Sequence, residues 1–393
     1  MQLRDRLAPV RAALGAALLA GLATGCRSAP PESPGPPEPT QPFFVADGID
    51  VFYRTVDLLI RDEEPTQLVW DELFDAPGYA QLDEVENRSA SVPGLMELVY
   101  RPSRRDELEA RRGTDDAVAR FVIPNLEIAL DVRDEIDDVV RTLEEPEAIE
   151  EILANAARYL PEGSVDPADL PTLYLVVIDG DSKAFRSGIV LDVVGLALTG
   201  TEYAKRLIAH EFHHHYRRRL DRVAFDDVDE QVLPLVRLME RAETEGIADL
   251  IDKRDLVTDP AGLPPSQTAH PLFAWMWDAY LGLHASAPEH LVELNALLEA
   301  YGEGRLDAER ATTLERQASR ISARAFGVFV ADAVDQELGR ERVASCVGDP
   351  FALFLAYAEA AQTRPSLPGF STLAQDVLRQ LQADYAGAPG SGD

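Results

Sequence analysis

One stretch of the chain concentrates side chains able to hold a metal: Leu207-Ile208-Ala209-His210-Glu211-Phe212-His213-His214-His215-Tyr216. Residues four apart on a helix stand one turn above each other on one face. His210 and His214 can therefore present two imidazoles to a single ion, as in the pattern H-E-x-x-H. Glu211 follows the first histidine, close to such an ion without having to bind it. A bound zinc ion lowers the pKa of a coordinated water, and a carboxylate at that place can take the proton. His213 and His215 point to other faces of the same helix. His213 is expected to stand in solvent, with the lining of a cleft as the other option.

A zinc ion that activates water needs a third protein ligand and an open position. Glu243-Thr244-Glu245-Gly246-Ile247-Ala248-Asp249 offers one on the next helix. Thirty residues separate His214 from Glu245, enough to end one helix, turn and bring a second back alongside. Glu245 is the expected ligand, and Glu243 the next candidate. Asp249, one turn beyond Glu245, is placed to accept a hydrogen bond from a ligand histidine and fix its tautomer. Gly246 would let two helices approach closely. His270, His284, His290 and Tyr280 are candidates to stabilise an oxyanion, and the sequence does not choose among them.

These residues need elements to carry them. Helical periodicity predicts the histidine segment over residues 202–220 and the glutamate segment over 231–252, with Pro234 near the start, where proline is tolerated. Further helices are expected at 149–160, 272–283, 291–301, 314–338 and 351–361. Two apolar runs, Leu173 to Ile178 and Gly188 to Val194, read as strands. The loop between them allows an antiparallel connection. The expected fold is helix-dominated α+β: a zincin-like metal helix with a small antiparallel sheet against it. An exposed edge of that sheet would suit an extended peptide. Residues 43–386 are expected to form one catalytic unit, with 43–120 as a helical subdomain and 387–393 as a loose tail.

The motif pair resembles a known group. H-E-x-x-H followed by E-x-x-x-D on a later helix is the pattern of the gluzincin metallopeptidases, to which thermolysin belongs. The version here, HEFHH then EGIAD, is most similar to bacterial zinc-dependent peptidases known as domains of unknown function. The resemblance covers residues 173–361, including Ala325-Phe326-Gly327-Val328-Phe329-Val330-Ala331 and the turn Gly348-Asp349-Pro350-Phe351. It implies zinc on His210, His214 and Glu245, Glu211 as base, Asp249 in support, and hydrolysis of peptide bonds. The asparagine that precedes the third ligand in thermolysin-like enzymes is Thr244 here, so substrate contacts do not carry over. The rival from another class is a non-catalytic helical binding lipoprotein with a structural or vestigial zinc site. A structural zinc usually takes four protein ligands, cysteine among them, and Cys346 is far along the chain. Hydrolysis of a non-peptide amide also fits the motif.

The beginning of the chain suggests where this chemistry takes place. Arg4, Arg6 and Arg11 precede an apolar run from Ala12 to Leu22, the layout of a secretory signal over residues 1–25. The run ends in Leu22-Ala23-Thr24-Gly25-Cys26, which resembles the bacterial lipobox, with Cys26 as the lipidated residue. A proline-rich tether follows, residues 26–42. The expected location is the bacterial cell envelope. Anchoring would be by lipid in the outer membrane, because Arg27 stands where an inner-membrane retention aspartate would. With Cys26 lipidated, Cys346 has no disulfide partner and is expected to be buried. The net charge of −32 over 393 residues repels phosphate backbones and argues against nucleic-acid binding.

Overall fold

A computed structural model of the chain describes residues 43–86, 88–114, 118–178, 182–185, 188–262, 271–318 and 321–387. The leader, Cys26, the tether up to residue 42, His270 and residues 388–393 lie outside the described residues. Contacts divide the chain into two compact units. One holds the described residues up to Ile149 together with Leu170–Ala204; the other holds Glu150–Asp169 and everything from Lys205 onward. The residue-120 limit expected for a helical subdomain falls within the first of these units.

In the first unit the helix Asp47–Ile60 buries Ile49, Phe52, Val56 and Leu59, the three- and four-residue steps of a single face. The Tyr53 hydroxyl donates to the Ala129 carbonyl at 2.7 Å. Four strands form one sheet: β1 (Phe44–Val45), β2 (Leu173–Val176), β3 (Ser182–Phe185) and β4 (Gly188–Asp192), in the order β1-β2-β4-β3.

The sheet corrects the antiparallel expectation. The two apolar runs, β2 and β4, pair parallel, with Leu173 opposite Ile189 and Val176 opposite Asp192. β1 joins β2 in parallel as well. The polar segment expected to be a loop contains β3, which pairs antiparallel with β4 and so makes the return that two parallel neighbours need. The physical reason is legible in the runs themselves. Every residue of β2 and β4 is buried. Strands buried on both faces carry continuous rather than alternating apolar residues, the habit of parallel pairing. β4 also ends two residues early. The Asp192 carboxylate accepts from Val194 N at 2.9 Å, Ile178 N at 2.6 Å and Asn125 Nδ2 at 3.0 Å, turning the chain into the helix Val193–Thr199.

Among its described residues the second unit has helices joined by turns and a single β-bridge between Val223 and Ala386, with no strand. The histidine helix, Thr201–Arg217, buries Ile208, Phe212 and Tyr216 along one face. The glutamate helix, Leu233–Asp252, starts with proline in its first turn, as expected. The stretch 314–338, expected as one helix, contributes to two: Ala308–Ala318 and the glycine helix, Ile321–Leu338. Asp349 caps the helix Pro350–Thr363 by accepting from Ala352 N at 3.0 Å. A last helix, Thr372–Tyr385, capped by Ser371, was not anticipated. Gly387 N donates to the Arg222 carbonyl at 2.9 Å, and the rest of the expected tail lies outside the described residues. Cys346 is buried, as expected, and burial pushes its thiol up to about 12. No helix among the described residues is long and apolar enough to cross a membrane.

The strands belong to the first unit, and His210, His214 and Glu245 belong to the second.

Candidate metal centre

The glutamate helix owes its position to two glycines. A Cβ on Gly246 would lie 2.2 Å from the Gly327 carbonyl carbon, and one on Gly327 would lie 2.1 Å from the Ala242 carbonyl oxygen. The glutamate and glycine helices therefore cross backbone to backbone, a contact no larger residue permits. Glu245 sits next to that crossing, and Arg324 lies one turn before Gly327.

Three side chains predicted as ligands converge. His210 Nε2 is 3.0 Å from His214 Nε2, and Glu245 Oε2 is 3.9 Å from the first and 3.8 Å from the second. Zinc ligated tetrahedrally at about 2.0–2.2 Å needs ligand atoms about 3.3–3.6 Å apart, a range the three distances bracket. Two further observations fit a cation here. The two Nε2 atoms approach to 3.0 Å, a distance that a bridging cation or a shared proton would allow. Glu245 Oε2 is buried and accepts no directed hydrogen bond among the described residues, although Arg324 Nε stands 2.9 Å away as an ion-pair partner. Side-chain exposure rises from 1% at His210 to 13% at His214 and 25% at Glu245, so the triangle opens on one side. An open position distinguishes a reactive zinc site from a closed structural one.

Behind His210 lies a charged network, all of it buried. His210 Nδ1 is 3.1 Å from Asp252 Oδ1 and 3.4 Å from Asp249 Oδ1. Lys253 Nζ donates to Asp249 Oδ1 at 2.6 Å and to Asp252 Oδ2 at 2.7 Å. The Tyr280 hydroxyl donates to the other Asp249 oxygen at 2.6 Å. Burial works against a charged His210, but Asp252 and Asp249 together outweigh it and raise its pKa above the usual value. A proton on Nδ1, held by a carboxylate, leaves Nε2 free to bind metal. Asp249 is in this network as expected; Asp252, the closer partner of His210, was missed. Tyr280 is committed to Asp249, so it is a network member rather than a free oxyanion donor.

Glu211 is buried, and burial raises its pKa, an effect that His210 and Arg324 partly offset. His213 corrects the solvent expectation: it is fully buried, Nδ1 lies 3.4 Å from the Ala156 carbonyl, and burial together with Arg217 pushes it down to about 3. His214 is held well below its usual value by burial and by His210. His284 and His290 pack edge-on against Phe329 and Phe326, ring centroids 5.4 and 6.0 Å apart. Glu243, the alternative ligand, is turned away: it takes Arg217 Nη2 at 2.5 Å on one oxygen and Gly348 N at 3.0 Å on the other.

Sequence reasoning missed Asp252, Lys253 and Arg324. The signal for the first two was present. Glu245, Asp249 and Asp252 follow i, i+4, i+7 spacing, one helix face, and Lys253 is four residues after Asp249. Arg324 arrives from another helix and had no local signal.

Two histidines of one helix and a glutamate of another, backed by carboxylates and open on one side, could hold a single metal ion. The chain belongs to the family described as "Putative zinc dependent peptidase (DUF5700)", whose model matches residues 70–366. The match begins about a hundred residues before the segment on which the motif resemblance rested, and so takes in helices of the first unit. Zinc is the metal this family depends on, and the chain carries His, Asp and Glu groups that could hold it. The family suggests a hydrolase acting on peptides or proteins. No curated protein and no solved structure matches the chain.

Proposed function

We propose that the chain is a lipid-anchored zinc metallopeptidase in which His210, His214 and Glu245 hold the metal and Glu211 is the general base. The observation that carries this reading is the open triangle of donor atoms with a buried glutamate next in sequence to its first histidine. When bound there, zinc supplies a Lewis acid that makes water more acidic and polarises a carbonyl. Glu211 takes the proton of the attacking water and passes it to the leaving amine nitrogen. Its burial suits that task, since a carboxylate deprived of solvent holds a proton more readily. Asp252 and Asp249 fix the His210 ring. Arg324 brings positive charge beside Glu245, the most exposed of the three ligands, where a substrate carbonyl oxygen would gain negative charge.

Glu211→Gln separates this reading from a non-catalytic scaffold. It keeps the shape and removes the base, so peptide cleavage should fall about 10²–10⁴-fold. Zinc content and melting temperature should stay at the wild-type level. Wild-type cleavage by the zinc-loaded variant would sink the mechanism. A zinc-loaded wild type that cleaves nothing in a broad peptide library would favour the scaffold.

The proposed location is the bacterial outer membrane, through lipidation of Cys26. A second acyl chain converts marginal membrane binding into stable anchoring, so Cys26→Ser should move the protein into the soluble fraction or block removal of its leader. A processed Ser variant that still sediments with membranes would contradict the anchor.

A further inference from the structure

Lys253 is one of three lysines in the chain, and it is buried. A buried ammonium is costly unless it is paired. Its Nζ stands 2.6 Å from Asp249 Oδ1 and 2.7 Å from Asp252 Oδ2, and those carboxylates flank His210 Nδ1 at 3.4 and 3.1 Å. His210, Asp249 and Asp252 are by themselves close enough to hold a metal ion. This second group lies back to back with the open triangle and shares His210 with it. Two carboxylates on one buried imidazole attract a cation, and Lys253 provides one from the same helix. The hydroxyl of Tyr280 takes the remaining Asp249 oxygen.

We propose that Lys253 stands in for a second metal ion: its ammonium fills the cation position of the Asp249–Asp252 pair, keeps the centre mononuclear, and holds Asp252 where it fixes the His210 tautomer. Lys253 is in this sense a positioning residue, acting through Asp252 and His210. The inference rests on His210 being a zinc ligand. A plain buried ion pair does not set how many metal ions a protein takes up. A filled cation position does. Without the ammonium, the pair of carboxylates is open to a divalent ion, which His210, Asp249 and Asp252 lie close enough to hold.

The test counts zinc per folded chain, by elemental analysis after equilibration with excess zinc and desalting, together with zinc affinity by titration. It compares wild type, Lys253→Ala, and the charge-balanced Lys253→Ala/Asp252→Asn. The expected counts are one in the wild type, two in Lys253→Ala and one in the double variant. The double variant should bind its ion about 10–100-fold more weakly, as changes behind a ligand histidine do. A folded Lys253→Ala protein with one zinc at wild-type affinity would overturn the proposal. If Lys253→Ala folds only when zinc exceeds one equivalent, the proposal is supported. If it does not fold at all, the double variant decides, and one zinc at wild-type affinity there would overturn the proposal. A wild type that binds no zinc would bring down the His210–His214–Glu245 centre itself, a failure distinct from the others.

Discussion

The histidine and glutamate helices carry two buried charge clusters, and only one of them looks like a place for chemistry. Around Arg217 both oxygens of the buried glutamate are satisfied, although Arg217 Nε finds no acceptor of its own among the described residues. Glu243 has a donor on each oxygen, Arg217 on one and the Gly348 amide on the other, and Asp221 takes Arg217 as well at 3.0 Å. Gly348, at φ +81°, has room for no side chain: a Cβ would lie 1.9 Å from the Leu220 carbonyl oxygen. That cluster is a clamp, tying the turn before Pro350 to both helices. Around His210 the cluster stays open. Two imidazole nitrogens face each other at 3.0 Å, and Glu245 Oε2 has Arg324 Nε at 2.9 Å as an ion-pair partner but accepts no directed hydrogen bond among the described residues. Glu243 and Glu245 are two residues apart, and both were possible ligands from sequence. Charge does not tell them apart, although Glu243 is fully buried and the Glu245 side chain is 25% exposed. What does is whether the acceptors are already satisfied by the protein.

The largest expected effect breaks the clamp. Arg217→Ala leaves Glu243 buried without its counter-charge, and removing one partner of such a pair costs about 3–5 kcal/mol. Urea denaturation should show that loss, while zinc per folded chain stays at one. A stability change within experimental error would mean that the clamp is not one. A smaller effect sharpens the picture of the open cluster. Asp252→Asn should weaken zinc binding about 10–100-fold, and Asp249→Asn less, because its contact with His210 is the longer one. The reverse order in a zinc titration would return the leading role to Asp249.

How much of this could be read from sequence differs by element. The metal helix was legible because two ligands and the base lie within five consecutive residues of one helix. Glu245 was chosen from sequence by its E-x-x-x-D spacing, while the partners that occupy Glu243, Arg217 and the Gly348 amide, reach it from other elements and were not legible. Asp252 and Lys253 were written in the helical spacing and passed over, because the expected E-x-x-x-D pattern ended at Asp249. His213 was misplaced because histidine is polar. Its neighbours Ile208, Phe212 and Tyr216 mark only one buried face, whereas this helix is buried on the histidine side too. The strands were found and their direction was not: a continuous apolar run reports burial on both faces, and the four residues of β3, which reverse the chain, are too polar to announce a strand. Arg324 depends on the Gly246–Gly327 crossing, a contact between segments about eighty residues apart.

The central claim is that the open triangle, and not the closed clamp, holds the metal. Zinc content per folded chain, measured side by side in Glu245→Ala and Glu243→Ala at zinc concentrations near the wild-type dissociation constant, tests it most directly. Glu245→Ala should fold and lose most of its zinc, because a carboxylate ligand is gone. Glu243→Ala should be the less stable protein and yet carry wild-type zinc on every folded molecule. Full zinc in Glu245→Ala, with loss of zinc from folded Glu243→Ala, would contradict the account.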